Sequence, residues 1–363
     1  MAAQPSRVEQ LAELLIGRSL GVEDGWQVMV TATPLARQLV EELVRVIGRR
    51  GAYPLVRLSF TDLERVPFET IWAEEAPAEL LAVPAPSDVR TRKEIDARVI
   101  LFSAENVYAG SSLDAQRRLA LRTAARTAID AADDMAKPWV SCPFPTQALA
   151  QEAGLTLSGY EDVLYAACLR DWDAEGERMR RYLERFDDAE FVRIVGPESD
   201  LTLSLVGRGG QVDDGHFNMP GGEFFFSPVE DSAEGVITFG EYPATYLGHR
   251  CEGIRLRFEQ GRIVDASARA GEEFLLSVLD TDEGARRLGE LGIGCNRGIP
   301  RTVRHMWFDE KIDGTIHLAI GQGFPIVGGL NESAIHWDIV KDLAQGRIEL
   351  DGATVQEHGE WSI

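Results

Sequence analysis

The 363-residue chain has few cysteines, few basic residues and no long apolar run. Its four cysteines show neither C-x-x-C spacing nor a cysteine–histidine zinc pattern, so we expect free, buried thiols in a reducing compartment. No stretch approaches the roughly 20 apolar residues that a membrane span requires. The N-terminal sequence MAAQPSRVEQLAELLIG lacks the sustained apolar segment of a signal peptide. These absences predict a cytoplasmic protein.

Basic residues are outnumbered, with 37 Lys and Arg against 59 Asp and Glu, which gives a net charge of -22. A surface this acidic repels phosphate backbones and anionic lipid headgroups. We therefore expect neither nucleic acid nor a membrane surface as a partner. Most of the acidic excess is expected to maintain solubility, and it would attract a cationic ligand such as a free amino terminus or a divalent metal.

The length and the hydrophobic pattern predict two domains, at residues 1–190 and 191–363, because one domain usually holds about 100–200 residues. In the first domain, short apolar strands alternate with helices, which indicates an α/β fold with a parallel sheet. Strands are predicted at residues 26–31, 54–60 and 97–102, and helices at 34–48, 114–136 and 164–186. The last of these helices is expected to lead out of the domain.

The second domain is expected to be α+β and rich in strands. Apolar residues alternate with polar ones at Leu201, Leu203 and Leu205, and the same alternation recurs from Ile254 to Phe258. This period of two is typical of half-buried strands. Glycine-rich turns such as GRGG and VGGLN separate them.

Two histidines of this second half lie in segments that could bind a metal. In SAIHWDIV, a strand would place His336 and Asp338 on the same face, where an imidazole and a carboxylate can bind one ion. In GTIHLAIG, His317 would lie opposite the apolar face of a strand, beside the small Ala319. Alone, each motif is more typical of a hydrogen-bonded histidine in a core.

Two glutamates complete the candidate set. Glu290 is predicted near the end of a helix over Leu279 to Gly294, with Asp280 and Glu283 as a capping pair at its start. A carboxylate at that end is disfavoured by the helix dipole, which hints at a nearby cation, although a solvated helix end is the simpler interpretation. Glu223 follows the Gly-Gly turn of NMPGGE and precedes three phenylalanines, so it needs a partner if it is buried.

Together these residues offer three carboxylates and two imidazoles. That donor set suits two divalent ions of zinc, cobalt or manganese, which lower the pKa of water and polarise a carbonyl group. The pattern therefore favours metal-dependent hydrolysis.

The second half also resembles the metallo-aminopeptidases of the aminopeptidase T and aminopeptidase S family. The resemblance rests on ordered motifs over residues 190–360, and it is looser over the first domain. These motifs are NMPGGE, DS-x-EG, EGIRLRFEQGRIVDASA, LDTDEGARRLGELGIG, FDEKIDGTIHLAIG and GGLNESAIHWDIV. It implies removal of N-terminal residues from peptides by a homodimer with two metals per active site.

The resemblance also implies roles for individual residues. The implied metal ligands are Glu223, Glu290, His317, His336 and Asp338, with Glu223 and Glu290 also catalytic and one of these two glutamates bridging the metals. One departure is Phe324, which stands where the family commonly has a catalytic tyrosine. A donor to the developing oxyanion is therefore missing, and His305, Arg301 or Arg304 could replace it.

Two other functions remain open from the sequence. The chain resembles, more distantly, dihydroxypyridine dioxygenases, in which a 2-His-1-carboxylate set binds one Fe(II), and His317, His336 and Asp338 could supply that set. A non-catalytic protein that keeps a structural metal would explain Phe324. The substrate is expected to be a peptide or a small molecule.

Overall fold

A computed structural model describes residues 4–60, 70–108, 113–133 and 136–362. The chain forms two compact units: unit 1 contains residues 1–170 and 215–221, and unit 2 contains residues 171–214 and 222–363. The division into domains at residues 1–190 and 191–363 stays a prediction. Within the described ranges, no helix is both long enough and apolar enough to cross a bilayer.

Unit 1 is built on a parallel sheet of four strands, in the order β2-β1-β3-β4. The strands are Gln27–Ala32 (β1), Tyr53–Leu58 (β2), Ala97–Phe102 (β3) and Trp139–Pro143 (β4). The helices are Arg7–Glu13 (α1), Arg37–Arg49 (α2), Thr70–Glu75 (α3), Ala78–Leu81 (α4), Pro86–Glu94 (α5), Ala115–Ala131 (α6), Gln147–Glu152 (α7) and Leu157–Cys168 (α8). The predicted α/β fold with a parallel sheet is confirmed.

Polar caps begin the helices of unit 1 near their predicted starts. The side chain of Thr33 accepts the backbone N–H of Leu35 at the start of a 3₁₀ turn, and α2 follows that turn. Asp114 accepts the N–H of Arg117 and caps α6. These contacts satisfy N–H groups that the first turn of a helix leaves without partners.

Unit 2 is rich in strands, as the sequence predicts. Its strands are Phe191–Gly196 (β5), Ser199–Ser204 (β6), Gln211–Asp213 (β7), Glu223–Phe226 (β8), Glu234–Phe239 (β9), Ala244–Tyr246 (β10), His249–Cys251 (β11), Ile254–Glu259 (β12), Arg262–Ser267 (β13), Leu288–Gly294 (β14), Thr315–Gly321 (β15), His336–Asp342 (β16), Arg347–Leu350 (β17), Ala353–Glu357 (β18) and Glu360–Trp361 (β19). Its helices are Trp172–Leu183 (α9), Glu272–Leu279 (α10) and Met306–Asp309 (α11).

Two antiparallel sheets of unit 2 share one apolar core. The eight-stranded sheet has the order β13-β12-β9-β6-β5-β17-β18-β19, and the five-stranded sheet has the order β16-β15-β14-β8-β7. Leu201 and Leu256 of the first sheet and Phe224 and Ile316 of the second belong to the same buried cluster. Because side chains alternate along a strand, each inward residue leaves its neighbours on the outer face.

Two predicted helices differ from the structure. The helix predicted over residues 164–186 is divided into α8 and α9, and Asp171 caps the second of these. The helix predicted from Leu279 to Gly294 is wrong. Asp280 ends α10 and Glu283 precedes only a short 3₁₀ turn without a side-chain cap, so these two residues do not form a capping pair.

Candidate metal centre

The outer face of the five-stranded sheet carries all five residues that the sequence predicts as metal ligands. The other face is apolar: Phe224, Leu291, Ile316 and Trp337 point into the core. The strand register then brings the residues between them onto one surface of four adjacent strands, β8, β14, β15 and β16. The residues brought together there are Glu223, Glu290, His317, His336 and Asp338.

Glu290 lies at the middle of this group, and each of its oxygens faces a different histidine. Its Oε1 is 3.3 Å from His317 Nε2, and its Oε2 is 3.2 Å from His336 Nε2. His317 Nε2 is also 3.6 Å from Glu223 Oε2, and His336 Nε2 is 3.5 Å from Asp338 Oδ1. Ligand atoms of Glu290, His317 and Asp338 lie within 4.8 Å of one another, which is close enough for metal binding.

Backbone carbonyl groups next to Nδ1 orient both imidazoles. The Nδ1 of His317 lies 3.1 Å from the carbonyl oxygen of Glu310, and that of His336 lies 2.8 Å from the carbonyl oxygen of Gln322. An Nδ1–H that donates to a carbonyl leaves the lone pair of Nε2 available to a metal. The ring orientation of both histidines is thus set for binding through Nε2.

The position beside His317 requires glycine. A Cβ atom on Gly292 would lie 2.0 Å from Nε2 of His317, which is closer than two non-bonded atoms can approach. The strand register pairs these two residues directly. The imidazole therefore occupies the space that any other side chain at this position would fill.

Sequence reasoning missed a lysine and two further acids of the cluster. Lys311 is fully buried, and its Nζ donates to Glu223 Oε1 at 2.8 Å and to the side chain of Glu310. Asp213 Oδ2 lies 3.8 Å from the same Nζ. The acid–base run DEK immediately before the GTIH strand was the available signal.

The cluster keeps buried acceptor atoms that protein donors do not satisfy. Glu223 Oε2 and Asp338 Oδ1 are buried and accept no hydrogen bond from the residues that the structure describes. Such oxygens are costly to bury unless a cation or a donor reaches them. Carboxylate oxygens next to imidazole nitrogens are the donors that zinc, cobalt and manganese prefer, so the residues present fit a divalent metal.

Without a metal, the pKa values of the cluster are shifted because several carboxylates are buried with few cations beside them. Burial raises the pKa of Glu223 to about 8. Burial opposes a charged His317, yet the combined effects of the Glu290 hydrogen bond and of the charges on Glu290, Glu223 and Asp338 outweigh burial and raise the pKa of His317 to about 10. Burial also opposes a charged Asp338, but the effects of His336, His317 and Lys311 together outweigh burial and lower the pKa of Asp338 to about 2. Shifts of this size are common at functional sites.

The placement of Glu290 corrects its predicted position at the end of a helix. It lies within strand β14, and a register irregularity separates Leu288 from Glu290. This bulge puts Leu288 and Leu291 in the same core although they are three residues apart, which imitates helical spacing. Three glycines in seven residues also oppose a helix.

Phe324, the residue at the expected tyrosine position, lies beside the cluster. The centroid of its ring is 4.9 Å from that of His336 and 5.4 Å from that of Phe225. Of the residues predicted to replace the missing donor, His305 packs against Phe308 at 6.0 Å. The roles of His305, Arg301 and Arg304 stay predictions.

Comparison with known proteins gives consistent results over the whole chain. The family model described as "Thermophilic metalloprotease (M29)" matches residues 4–361. The chain is 28% identical to aminopeptidase T of Thermus thermophilus, covering 100% of both chains, and 26% identical to aminopeptidase AmpS of Bacillus subtilis, covering 98% of each. It is 25% identical to aminopeptidase 2 of Geobacillus stearothermophilus, with 96% of this chain and 94% of that protein covered.

The solved structure of wild-type AmpT from Thermus thermophilus superposes with a TM-score of 0.82 at 26% identity. The match covers 98% of this chain and 99% of that one. The resemblance to aminopeptidases T and S is therefore confirmed, and so is the predicted combination of an α/β region with a strand-rich region. Since the family model spans nearly every residue, the chain belongs to the thermophilic metalloprotease (M29) family and is a metallo-aminopeptidase.

Proposed function

We propose that this chain hydrolyses the N-terminal peptide bond of peptides with two divalent metal ions, bound on the outer face of the five-stranded sheet. The observation that carries the proposal is the position of Glu290 between the two histidines, 3.3 Å from His317 and 3.2 Å from His336. A carboxylate with one oxygen toward each of two sites is suited to bridge two ions.

The contacts divide the predicted ligands into two sets that share Glu290. One set comprises Glu223 Oε2, Glu290 Oε1 and His317 Nε2. The other comprises Glu290 Oε2, His336 Nε2 and Asp338 Oδ1. Of the two glutamates that the sequence leaves open as the bridge, Glu290 is favoured, because Lys311 holds the second oxygen of Glu223.

The charge of the cluster supports two ions. Five carboxylates of the described chain lie in or around it, and Lys311 is the cation that these contacts give them. When all are ionised and the histidines are neutral, four negative charges remain, which two divalent cations would balance. Near neutrality is favoured because unpaired buried charges are costly. The carboxylates counted are Asp213, Glu223, Glu290, Glu310 and Asp338.

Bound zinc, cobalt or manganese would lower the pKa of water and polarise the scissile carbonyl group. The chain's own residues would supply the other catalytic and binding groups. Glu223 and Glu290 are the proposed catalytic residues, as the resemblance to the aminopeptidase T and aminopeptidase S family implies. The acidic surroundings would attract the substrate's free ammonium group. We further propose a homodimer, as the resemblance implies, and a cytoplasmic location, which is supported by four buried cysteines that form no disulfide bond.

Metal analysis combined with an aminopeptidase assay tests this proposal. Chelated protein is reconstituted with Zn, Co or Mn, its metal content is measured, and hydrolysis of leucine-p-nitroanilide is followed. We expect two ions per chain and hydrolysis that requires them. An N-acetylated leucine anilide is the matched control and should not be cleaved. Failure of the fully loaded protein to release p-nitroaniline or to cleave dipeptides would refute the proposal.

The dioxygenase alternative is not favoured. A mononuclear iron site needs two histidines and one carboxylate, whereas here Glu223 and Glu290 accompany His317, His336 and Asp338 on one face. The comparisons also match metalloproteases throughout the chain. One iron per chain together with oxygen consumption would revive this alternative.

A further inference from the structure

Two aromatic rings form an apolar wall next to the metal-binding face; we use "apolar wall" for Phe225 and Phe324. Their ring centroids are 5.4 Å apart with an interplanar angle of 63°. Phe324 also lies 4.9 Å from the ring of His336. Both phenylalanines are half-buried, so part of each residue stays accessible to a ligand.

Phe225 faces the metal side because of its place in strand β8. Its neighbours Phe224 and Phe226 are buried in the core of unit 2, and alternation turns the ring between them to the outer face. Phe225 is two residues from Glu223, on the same face. The register pairs it with Gly292, and the imidazole of His317 occupies the space beside that glycine.

Phe324 is held in position by a hydrogen-bonded anchor. Its backbone N–H donates to Ser227 Oγ at 2.9 Å, and the same hydroxyl donates to the carbonyl oxygen of Gly289 at 2.7 Å. The carbonyl oxygen of Phe324 accepts the N–H of Gly329 at 2.9 Å. These hydrogen bonds to two chain segments hold the backbone of Phe324 next to strand β14. They thereby fix the place from which its ring projects.

We propose that the apolar wall binds the side chain of the substrate's N-terminal residue and selects large apolar or aromatic side chains. The inference rests on the proposed aminopeptidase function. In an N-terminal residue, the side chain is attached to the atom next to the reacting carbonyl carbon. A carbonyl placed at the ligand set of His336 therefore brings that side chain beside His336, whose ring centroid lies 4.9 Å from that of Phe324.

The chemistry of the wall favours apolar substrates over charged ones. A leucine or phenylalanine side chain would remove its own surface and part of both rings from water, with a gain proportional to the area buried. A glutamate would meet two phenyl rings and an acidic cluster, and it would bind poorly. A lysine could use the faces of the rings, so lysine substrates test the assignment of substrate class.

The test compares p-nitroanilides of leucine, phenylalanine, alanine, lysine and glutamate with metal-loaded protein. We expect kcat/KM for leucine and phenylalanine to exceed that for alanine at least tenfold, because a few methylene groups in an apolar site give selectivity of that order. Phe225→Ala and Phe324→Ala should each reduce the leucine-to-alanine ratio about tenfold while two metals per chain remain bound. Phe225→Leu and Phe324→Leu, which keep apolar bulk, should retain most of the ratio.

Ile326 supplies the matched control. It lies two residues after Phe324 and is 73% exposed, so Ile326→Ala should leave the leucine-to-alanine ratio unchanged. An unchanged leucine-to-alanine ratio in both phenylalanine-to-alanine variants would contradict the proposed role of the apolar wall. A wild-type preference for lysine over leucine would contradict it as well. Hydrolysis of alanine anilide distinguishes these results from failure of the proposed function, in which no anilide would be cleaved at all.

Discussion

The two faces of the five-stranded sheet have opposite chemistry although they share the same strands. On the inner face, Ile316 and Leu318 are completely buried among other apolar residues. Between them, His317 points outward to Glu290 and Glu223. One face therefore contributes hydrophobic burial and the other concentrates charge. Because alternate residues serve separate purposes, substitutions on the inner face should affect stability alone, and substitutions on the outer face should also affect metal binding.

The largest effect is expected from the central residue of the outer face. Glu290→Gln keeps the shape of the side chain but removes the charge that faces both histidines. We expect kcat/KM to fall more than 100-fold, since substitution of residues that merely support metal ligands already lowers metal affinity or activity up to about 100-fold. Measured metal content should fall with activity, and the chelated protein should lose stability because Glu290 no longer pairs with the two imidazoles. Wild-type turnover in this variant would show that Glu290 is not part of the metal centre.

Lys311 allows a second test of the outer face. Lys311→Met removes the donor shared by Glu223 and Glu310, and the chelated protein should lose about 3–5 kcal/mol of unfolding free energy, as when a buried ion pair loses one member. Affinity for one of the two ions should weaken about 10–100-fold, because Glu223 is no longer held. Isothermal titration with Co²⁺ measures both dissociation constants.

Lys341 is the matched control for that experiment. It is also fully buried, but it donates to the carbonyl oxygen of Thr238 and to Glu241. Lys341→Met should lower stability without changing metal affinity. Equal loss of metal binding in both lysine variants would show that general destabilisation is responsible.

The inner face should respond in the opposite way. Leu318→Ala removes a fully buried side chain adjacent to His317 in the chain and should cost about 2–5 kcal/mol of unfolding free energy. Denaturant unfolding measures this loss. At temperatures where the variant remains folded, we expect two ions per chain and kcat/KM within a few-fold of wild type. A selective loss of metal at full folding would contradict the division between the faces.

The last prediction is a pH dependence of stability that bound metal reduces. The pKa of His317 rises from 6.5 to about 10 on folding without metal, so its contribution is present below pH 6.5 and lost as the pH rises toward 10. The pKa of Asp338 falls from 3.8 to about 2, so its contribution is present above pH 3.8 and lost as the pH falls toward 2. Thermal midpoints of chelated protein should decline at both limits.

With metal bound, the alkaline decline should be reduced, because the cation replaces the proton on His317. Metal affinity should accordingly rise with pH above 6.5. Parallel alkaline declines for chelated and loaded protein would contradict this explanation.

Much of this arrangement could be predicted from sequence where one strand determines it. Alternation in SAIHWDIV correctly predicts that His336 and Asp338 share a face, and the apolar neighbours of His317 correctly predict its outward orientation. The strand of Glu290 was mistaken for a helix because a bulge imitates helical spacing. The contact of Lys311 with Asp213 could not be foreseen, because it joins residues 98 positions apart through the packing of separate segments.

The most direct test of the central claim is a crystal soaked in Zn²⁺ or Mn²⁺, with anomalous scattering used to count and locate the ions. The account predicts two anomalous peaks per chain, one beside each oxygen of Glu290, with His317 at one ion and His336 at the other. A single peak, or peaks away from Glu290, would contradict it.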